Sequence, residues 1–260
     1  MLERLKHGLT ARSAALLLTI DQRLHQILQW WLLLAGLVAA ARLASAPQAV
    51  PIANASTCGS YMLVVLAPVV STLLALRWFA SGDTQAQPET RLARLGRWRG
   101  VTRFEAIRNR LYGCSGMMTS LLVGIMLNVP VRAAEYFASM APIPLGAPRW
   151  LWTLQFALTF DVVLFGSLYM VAFVAALRRV PLFPRLLAGI WLGDLAMQLV
   201  TARLVANAGG VPPQVANALL VVLDGNVRKV LISVALWLPY LLLSKRVNIT
   251  YRHRVPATFG

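Results

Sequence analysis

Long apolar runs separated by short polar ones dominate this chain. The clearest, Val230 to Leu243, carries Trp237, Pro239 and Tyr240 and stops at Ser244-Lys245-Arg246. An uncharged run meeting a Lys/Arg cluster predicts a transmembrane helix that leaves the bilayer on the cytoplasmic side. Further runs predict helices over about 28–44, opened by Trp30-Trp31, and about 58–79, with Pro68 in its middle. A third covers about 111–129 and is closed by Pro130; its Gly116, Ser120 and Gly124, four apart, predict a close-packing seam. The fourth covers about 150–177 and the fifth about 185–205, ended by Gly209-Gly210-Val211-Pro212-Pro213. An apolar patch from Val215 to Leu223 is too short to span and rests at the outer interface, so the sixth helix begins near residue 226.

The polar segments divide the rest. Residues 1–29 are amphipathic: Leu2, Leu5, Leu9, Leu16, Ile20, Leu24 and Ile27 recur at helical spacing, with Arg4, Lys6, Arg12 and Arg23 between. Such a helix lies flat on the cytoplasmic surface or packs on the inner end of the bundle, and the pattern fits both. Residues 30–80 form a two-helix hairpin, 81–110 a basic cytoplasmic linker, 111–252 a four-helix membrane domain and 253–260 a tail. Within the linker, Leu92, Leu95, Trp98, Val101, Phe104 and Ile107 recur every third residue and predict a helix. Seven arginines between 91 and 110 face one acid, Glu105. Arg91, Arg94, Arg97, Trp98, Arg99 and Arg103 suit an anionic headgroup surface, where each cation is worth about 1 kcal/mol. Nucleic acid or an acidic partner would suit the same pattern. A membrane protein already has lipid beside it, so anionic lipid is the expected partner and nucleic acid is not.

Composition sharpens the class. Hydrophobic residues make up 58% and charged ones 13%, against about 45–50% and about 25% in soluble domains. Mean hydropathy is +0.65, which leaves an all-α, polytopic membrane bundle as the fold class. The net charge of +16 reports cytoplasmic loops. With six helices and both termini inside, 19 of the 25 Lys and Arg fall on inner segments and 6 outside, Arg132 among them. That bias predicts the orientation. The first apolar run, Ala14 to Ile20, is short and Asp21 follows it, so no cleavable signal is expected.

Chemistry-bearing residues are few. Asp161 and Asp194 enter their helices from opposite ends and both lie roughly 14–16 Å deep, near the midplane. Intramembrane acids point to function, a shared proton or cation, or else to packing bonds with Gln155, Thr159 or Gln198. Near the outer face, Arg203, Asp224, Arg228 and Lys229 form a second polar set, with an Arg203–Asp224 pair expected and an anion-attracting vestibule as the functional alternative. At the cytoplasmic exit, Trp237, Pro239, Tyr240, Lys245 and Arg246 predict an interface anchor. His7, His25 and His253 have no metal-ligand spacing, and Cys58 and Cys114 make neither a ligand pattern nor a disulfide framework. No catalytic motif, metal site or cofactor is expected.

The turn Arg178-Arg179-Val180-Pro181-Leu182-Phe183-Pro184-Arg185 and the exit Trp237-Leu238-Pro239-Tyr240, followed by Ser244-Lys245-Arg246-Val247 and Thr250-Tyr251, carry a resemblance. Over roughly residues 108–252 the chain resembles a bacterial inner-membrane family, domain of unknown function 2569. The resemblance implies a four-helix membrane core in the bacterial inner membrane and brings no known substrate; Tyr251 stands where phenylalanine is expected. The expected role is a non-enzymatic accessory or scaffold subunit with a membrane-protein partner or a second copy of itself. The alternative is a small proton- or cation-coupled carrier using Asp161 and Asp194.

Overall fold

A computed structural model of the chain describes residues 2–45, 55–88, 96–144 and 146–257. Its long helices are α1 (Leu2–Gln22), α2 (Leu24–Ala44), α3 (Ala55–Trp78), α5 (Met117–Ser139), α6 (Arg149–Leu177), α7 (Phe183–Asn207) and α8 (Pro213–Leu243). Four shorter elements form a cap at one end: β1 (Trp98–Gly100), α4 (Arg103–Arg108), α9 (Lys245–Arg252) and β2 (Arg254–Pro256). The fold is all-α apart from that two-stranded ribbon. Four helices, α2, α3, α5 and α6, are long and apolar enough to cross a membrane. This is the architecture of a membrane protein.

The central helix is α6, packed against α3, α5 and α7, while α8 lies along α7. Buried apolar side chains form two clusters. One, toward the cap, holds Leu24, Met118, Leu122, Phe173, Phe183 and Tyr251. The other holds Tyr61, Tyr136, Phe137, Ile143 and Leu154, with the Tyr61 hydroxyl donating to the Met140 carbonyl at 2.7 Å. Along α6 the first cluster takes Phe165 and Tyr169, the second takes Leu154, and Asp161 falls between. The junction of the two clusters is therefore polar.

Pro130 does not close its helix. It lies inside α5, which begins at Met117 rather than near 111 and runs on to Ser139. A proline strands the carbonyl four residues back, yet packed neighbours in an apolar bundle let the helix continue. Arg132, expected in an outer loop, is thereby carried into the bundle. The seam expected along Gly116, Ser120 and Gly124 is not a close intrachain contact: Gly116 is the N-cap residue, and nothing approaches the place of a Gly124 Cβ within 4 Å. The patch at Val215–Leu223 is not separate from the last helix either, because α8 is continuous from Pro213. Its polar residues interrupt the apolar run without stopping the helix, and Asp224 and Arg228 pair one turn apart at 2.6 Å.

The N-terminal boundary also moves. α2 starts at Leu24, and α1 packs on the cap end of α5 through Leu17 and Ile20. The Gly116 amide donates to Ser13 Oγ at 2.8 Å there, while Leu16 and Leu18 face outward.

The linker is not one helix. Residues 89–95, including Arg91, Leu92, Arg94 and Leu95, lie outside the described residues. Beyond them Trp98–Gly100 is a strand, antiparallel to β2 with Arg99 opposite Val255. Only Arg103–Arg108 is helical, started by a capping box between Thr102 and Glu105. A strand won over the three-residue pattern because Gly96, at φ +88°, breaks the chain and the C-terminal tail supplies a pairing edge.

Candidate functional site

The polar junction is organised by Arg132. Its Nη1 donates to Asp161 Oδ2 at 2.9 Å, its Nη2 to Asp194 Oδ2, and its Nε to Asn128 Oδ1 at 3.0 Å. Asn128 is one turn earlier on α5, so the helix itself sets the guanidinium's angle. Gln198, one turn after Asp194 on α7, donates through Nε2 to both Asp161 Oδ1 and Asp194 Oδ1 at 3.2 Å. The Tyr169 hydroxyl completes the shell of Asp194 at 3.0 Å, and Asn226 of α8 donates to Gln198 Oε1 at 3.4 Å. Phe165 and Tyr169 place their rings 5.3 and 5.7 Å from the guanidinium.

One set of side chains therefore ties four helices together. Asp194 is fully buried and Asp161 nearly so. A lone buried charge costs several kcal/mol, and here each acid receives both a cation and an amide donor. With both acids ionised the trio carries one net negative charge, and a proton on either would neutralise it.

Two cavities reach this network from the side of α8. One, of about 440 Å³, is bordered by Arg132, Asp161, Leu158 and Val221. The other, of about 220 Å³, is bordered by Arg132, Tyr169, Gly124 and Ser233. Glu135, Asn226 and Lys229 line both. Lys229 pairs with Glu135 across the cleft, joining α8 to α5. No family model, curated protein or solved structure matches this chain.

Asp161 and Asp194, expected only at equal depth, do meet. Gln198 is their shared packing partner, whereas Thr159 bonds the Tyr136 hydroxyl at 2.8 Å. Sequence reasoning missed Arg132, Asn128, Tyr169 and Asn226. A signal existed: the four-residue series Gly116, Ser120, Gly124 continues through Asn128 to Arg132, a polar row along one face. Reading Pro130 as a stop hid it.

The outer polar set does not assemble as expected. Asp224 pairs with Arg228, Lys229 with Glu135, and Arg203 is exposed, so the anticipated Arg203–Asp224 pair is absent. The expected headgroup residues also separate. Arg97 and Arg99 are exposed, Trp98 is half-buried under the Arg254 guanidinium at 6.0 Å, and Arg103 pairs with Asp83 at 2.8 Å. At the exit, the Trp237 and Tyr240 rings meet edge to face at 6.0 Å, with Pro239 inside α8 between them. Lys245 is exposed, but Arg246 is not a free anchor. Its Nη1 donates to Ser115 Oγ at 2.7 Å and to the Gly113 carbonyl at 3.3 Å, holding the approach to α5. Among the described residues no group of three or more His, Cys, Asp or Glu is placed to hold a metal.

Proposed function

We propose that the chain is a six-span protein of a bacterial inner membrane, with both termini cytoplasmic, acting as a non-enzymatic accessory or scaffold subunit. α7 and α8, at 25 and 31 residues, supply the two further spans. They would be about 37 and 46 Å long, enough for a hydrocarbon core of about 30 Å. The observation that carries the role is the outer face of the cap. Phe104 and Ile107 on α4 are 73% and 42% exposed, and Arg99, Arg108 and Arg110 are exposed around them. Apolar side chains ringed by arginine suit an anionic bilayer surface or an acidic partner docked against it. The ion network then fixes the helices that present this face.

Purification from native membranes in mild detergent tests the reading. A stoichiometric membrane-protein partner should accompany the wild type and be lost from a Phe104→Glu, Arg108→Glu double variant. Recovery of the chain alone, carrying a bound solute, would count against a scaffold.

A second reading rests on the two cavities that meet at Arg132: a carrier in which protonation of Asp161 or Asp194 releases one arm of the guanidinium. Arg132 occupies the place a coupling cation would take, which favours proton coupling over metal-ion coupling. Asp161→Asn and Asp194→Asn should each abolish pH-dependent solute uptake in that case. Normal function in both would remove it.

A further inference from the structure

A third cavity, of about 270 Å³, opens at the cap end between α1 and the approach to α5. One wall is apolar: Ala14, Leu17 and Leu18 of α1 and Leu177 at the end of α6. The opposite wall is polar, with Tyr112, Ser115 and Arg179. The Tyr112 hydroxyl is buried beside the Arg179 guanidinium, which can only donate, and no acceptor lies within hydrogen-bond reach of its O–H. Burial raises its pKa above the ordinary tyrosine value, so it remains a donor. A buried donor left unmade is costly and asks for an acceptor.

Arg179 stands over the Tyr112 ring, 5.3 Å from its centroid. It follows the last turn of α6 with φ +56°, the left-handed conformation that favours glycine at a helix end. Arginine in that place is strained, and strain of this kind is retained where a side chain is used. The surrounding charges do not neutralise it. Arg178 pairs with Asp21 at 3.3 Å, and Arg103 with Asp83 at 2.8 Å, so the two nearby acids are already engaged. Asp21 also lines the cavity, and its pairing with Arg178 lessens its repulsion of an anion. Arg246, bonded to Ser115 at the polar wall, adds a further positive charge.

We propose that this cavity binds the phosphate of an anionic phospholipid, with Arg179 as its cation and the Tyr112 hydroxyl as a donor. The glycerol and first methylenes lie against the α1 wall. Half apolar and half polar, with Arg179 in its wall and Arg246 behind Ser115, the cavity matches a headgroup and the root of its chains rather than a free metabolite. The proposal rests on the membrane reading above, since a lipid reaches this site only if α1 lies at the bilayer surface.

The test uses the full chain in a neutral detergent, titrated with short-chain phosphatidylglycerol, short-chain phosphatidylcholine or inorganic phosphate, and read by native mass spectrometry. Wild type should retain one phosphatidylglycerol saturably and bind phosphatidylcholine far less. Arg179→Gly should weaken that binding about tenfold or more, the loss of one charge-assisted bond. Its thermal midpoint should not fall, because glycine suits the left-handed position, so lost binding cannot be blamed on misfolding. Tyr112→Phe should weaken binding to a smaller extent. Displacement of the lipid by millimolar inorganic phosphate would support the anion site. An Arg108→Gln, Arg110→Gln control separates the cavity from the cap's basic face. If that control loses phosphatidylglycerol while Arg179→Gly keeps wild-type affinity, the cavity proposal is overturned and the basic face survives. Phosphate binding that needs Arg179, without any lipid retention, overturns the lipid as the ligand and with it the placement of α1 at the bilayer surface.

Discussion

Arg132, almost enclosed in the bundle, and Arg252, buried in the cap, find opposite kinds of partner. Arg132 is matched by two carboxylates. Arg252 donates from Nη1 to the Leu241 carbonyl at 2.8 Å and to Asn248 Oδ1 at 3.1 Å, and Arg254 shares that same amide oxygen at 2.9 Å. No carboxylate pairs with Arg252 among the described residues. Burial, then Arg254 and Arg185, push its pKa down to about 10, so it is still charged at neutral pH. Dipoles alone hold Nη1 of Arg252 at the cap and leave its buried Nη2 without a partner; deep among apolar helices a full countercharge is needed. One arginine neutralises, the other braces.

The comparison breaks most visibly at Arg132. Arg132→Leu leaves two buried acids without a cation and should cost about 3–5 kcal/mol, read as loss of folded bundle in a detergent unfolding titration. Arg132→Lys keeps the charge but not the fork that reaches both acids, and should fall between that variant and the wild type.

Arg252→Leu should cost less, about 1–2 kcal/mol, because it takes a donor from the Leu241 carbonyl while Asn248 Oδ1 keeps Arg254, and it relieves repulsion from Arg254. Hydrogen exchange should quicken in α9 and β2 and stay unchanged in α5 to α7. Equal losses in both regions would erase the distinction.

The smallest effect is a pH dependence confined to the cap. His253, at φ +47° between α9 and β2, lies 3.3 Å from Gln87 Nε2 through its ring Nδ1. Burial, then Arg103, lower its pKa below the ordinary value of 6.5. A lowered cation pKa means that the folded cap binds fewer protons than the unfolded chain. The histidine's contribution is therefore complete above about pH 6.5 and is lost as pH falls through the folded pKa. Protection factors in β1 and β2, taken relative to the base-catalysed intrinsic rate at each pH, should fall from pH 7 to pH 5. His253→Asn, which tolerates the left-handed backbone, should remove that trend.

What could be read from the chain alone divides along the same line. The apolar runs of α2, α3, α6 and α7 were legible to within four residues at each end, because length and hydropathy are local properties. The equal depth of Asp161 and Asp194 followed from helix rise. Their meeting did not, since rotation is set by packing between helices. Arg132 was hidden by a rule about proline that holds for exposed helices better than for packed ones. The cap was hidden for another reason: Trp98–Gly100 pairs with Arg254–Pro256, and no local pattern reports a partner so distant in sequence. α8 looked divided because charged residues in an apolar run resemble a boundary, though they are compatible with helix.

Charge matching at the junction of the two apolar clusters is what holds the bundle's polar centre together. Stability of the detergent-solubilised chain should be compared for the wild type, Arg132→Leu, and Arg132→Leu combined with Asp161→Asn and Asp194→Asn. If Arg132 serves to neutralise the acids, the triple variant should recover to within about 1 kcal/mol of wild type while the single variant does not. A triple variant as unstable as Arg132→Leu alone, or an Arg132→Leu variant as stable as wild type, would contradict it.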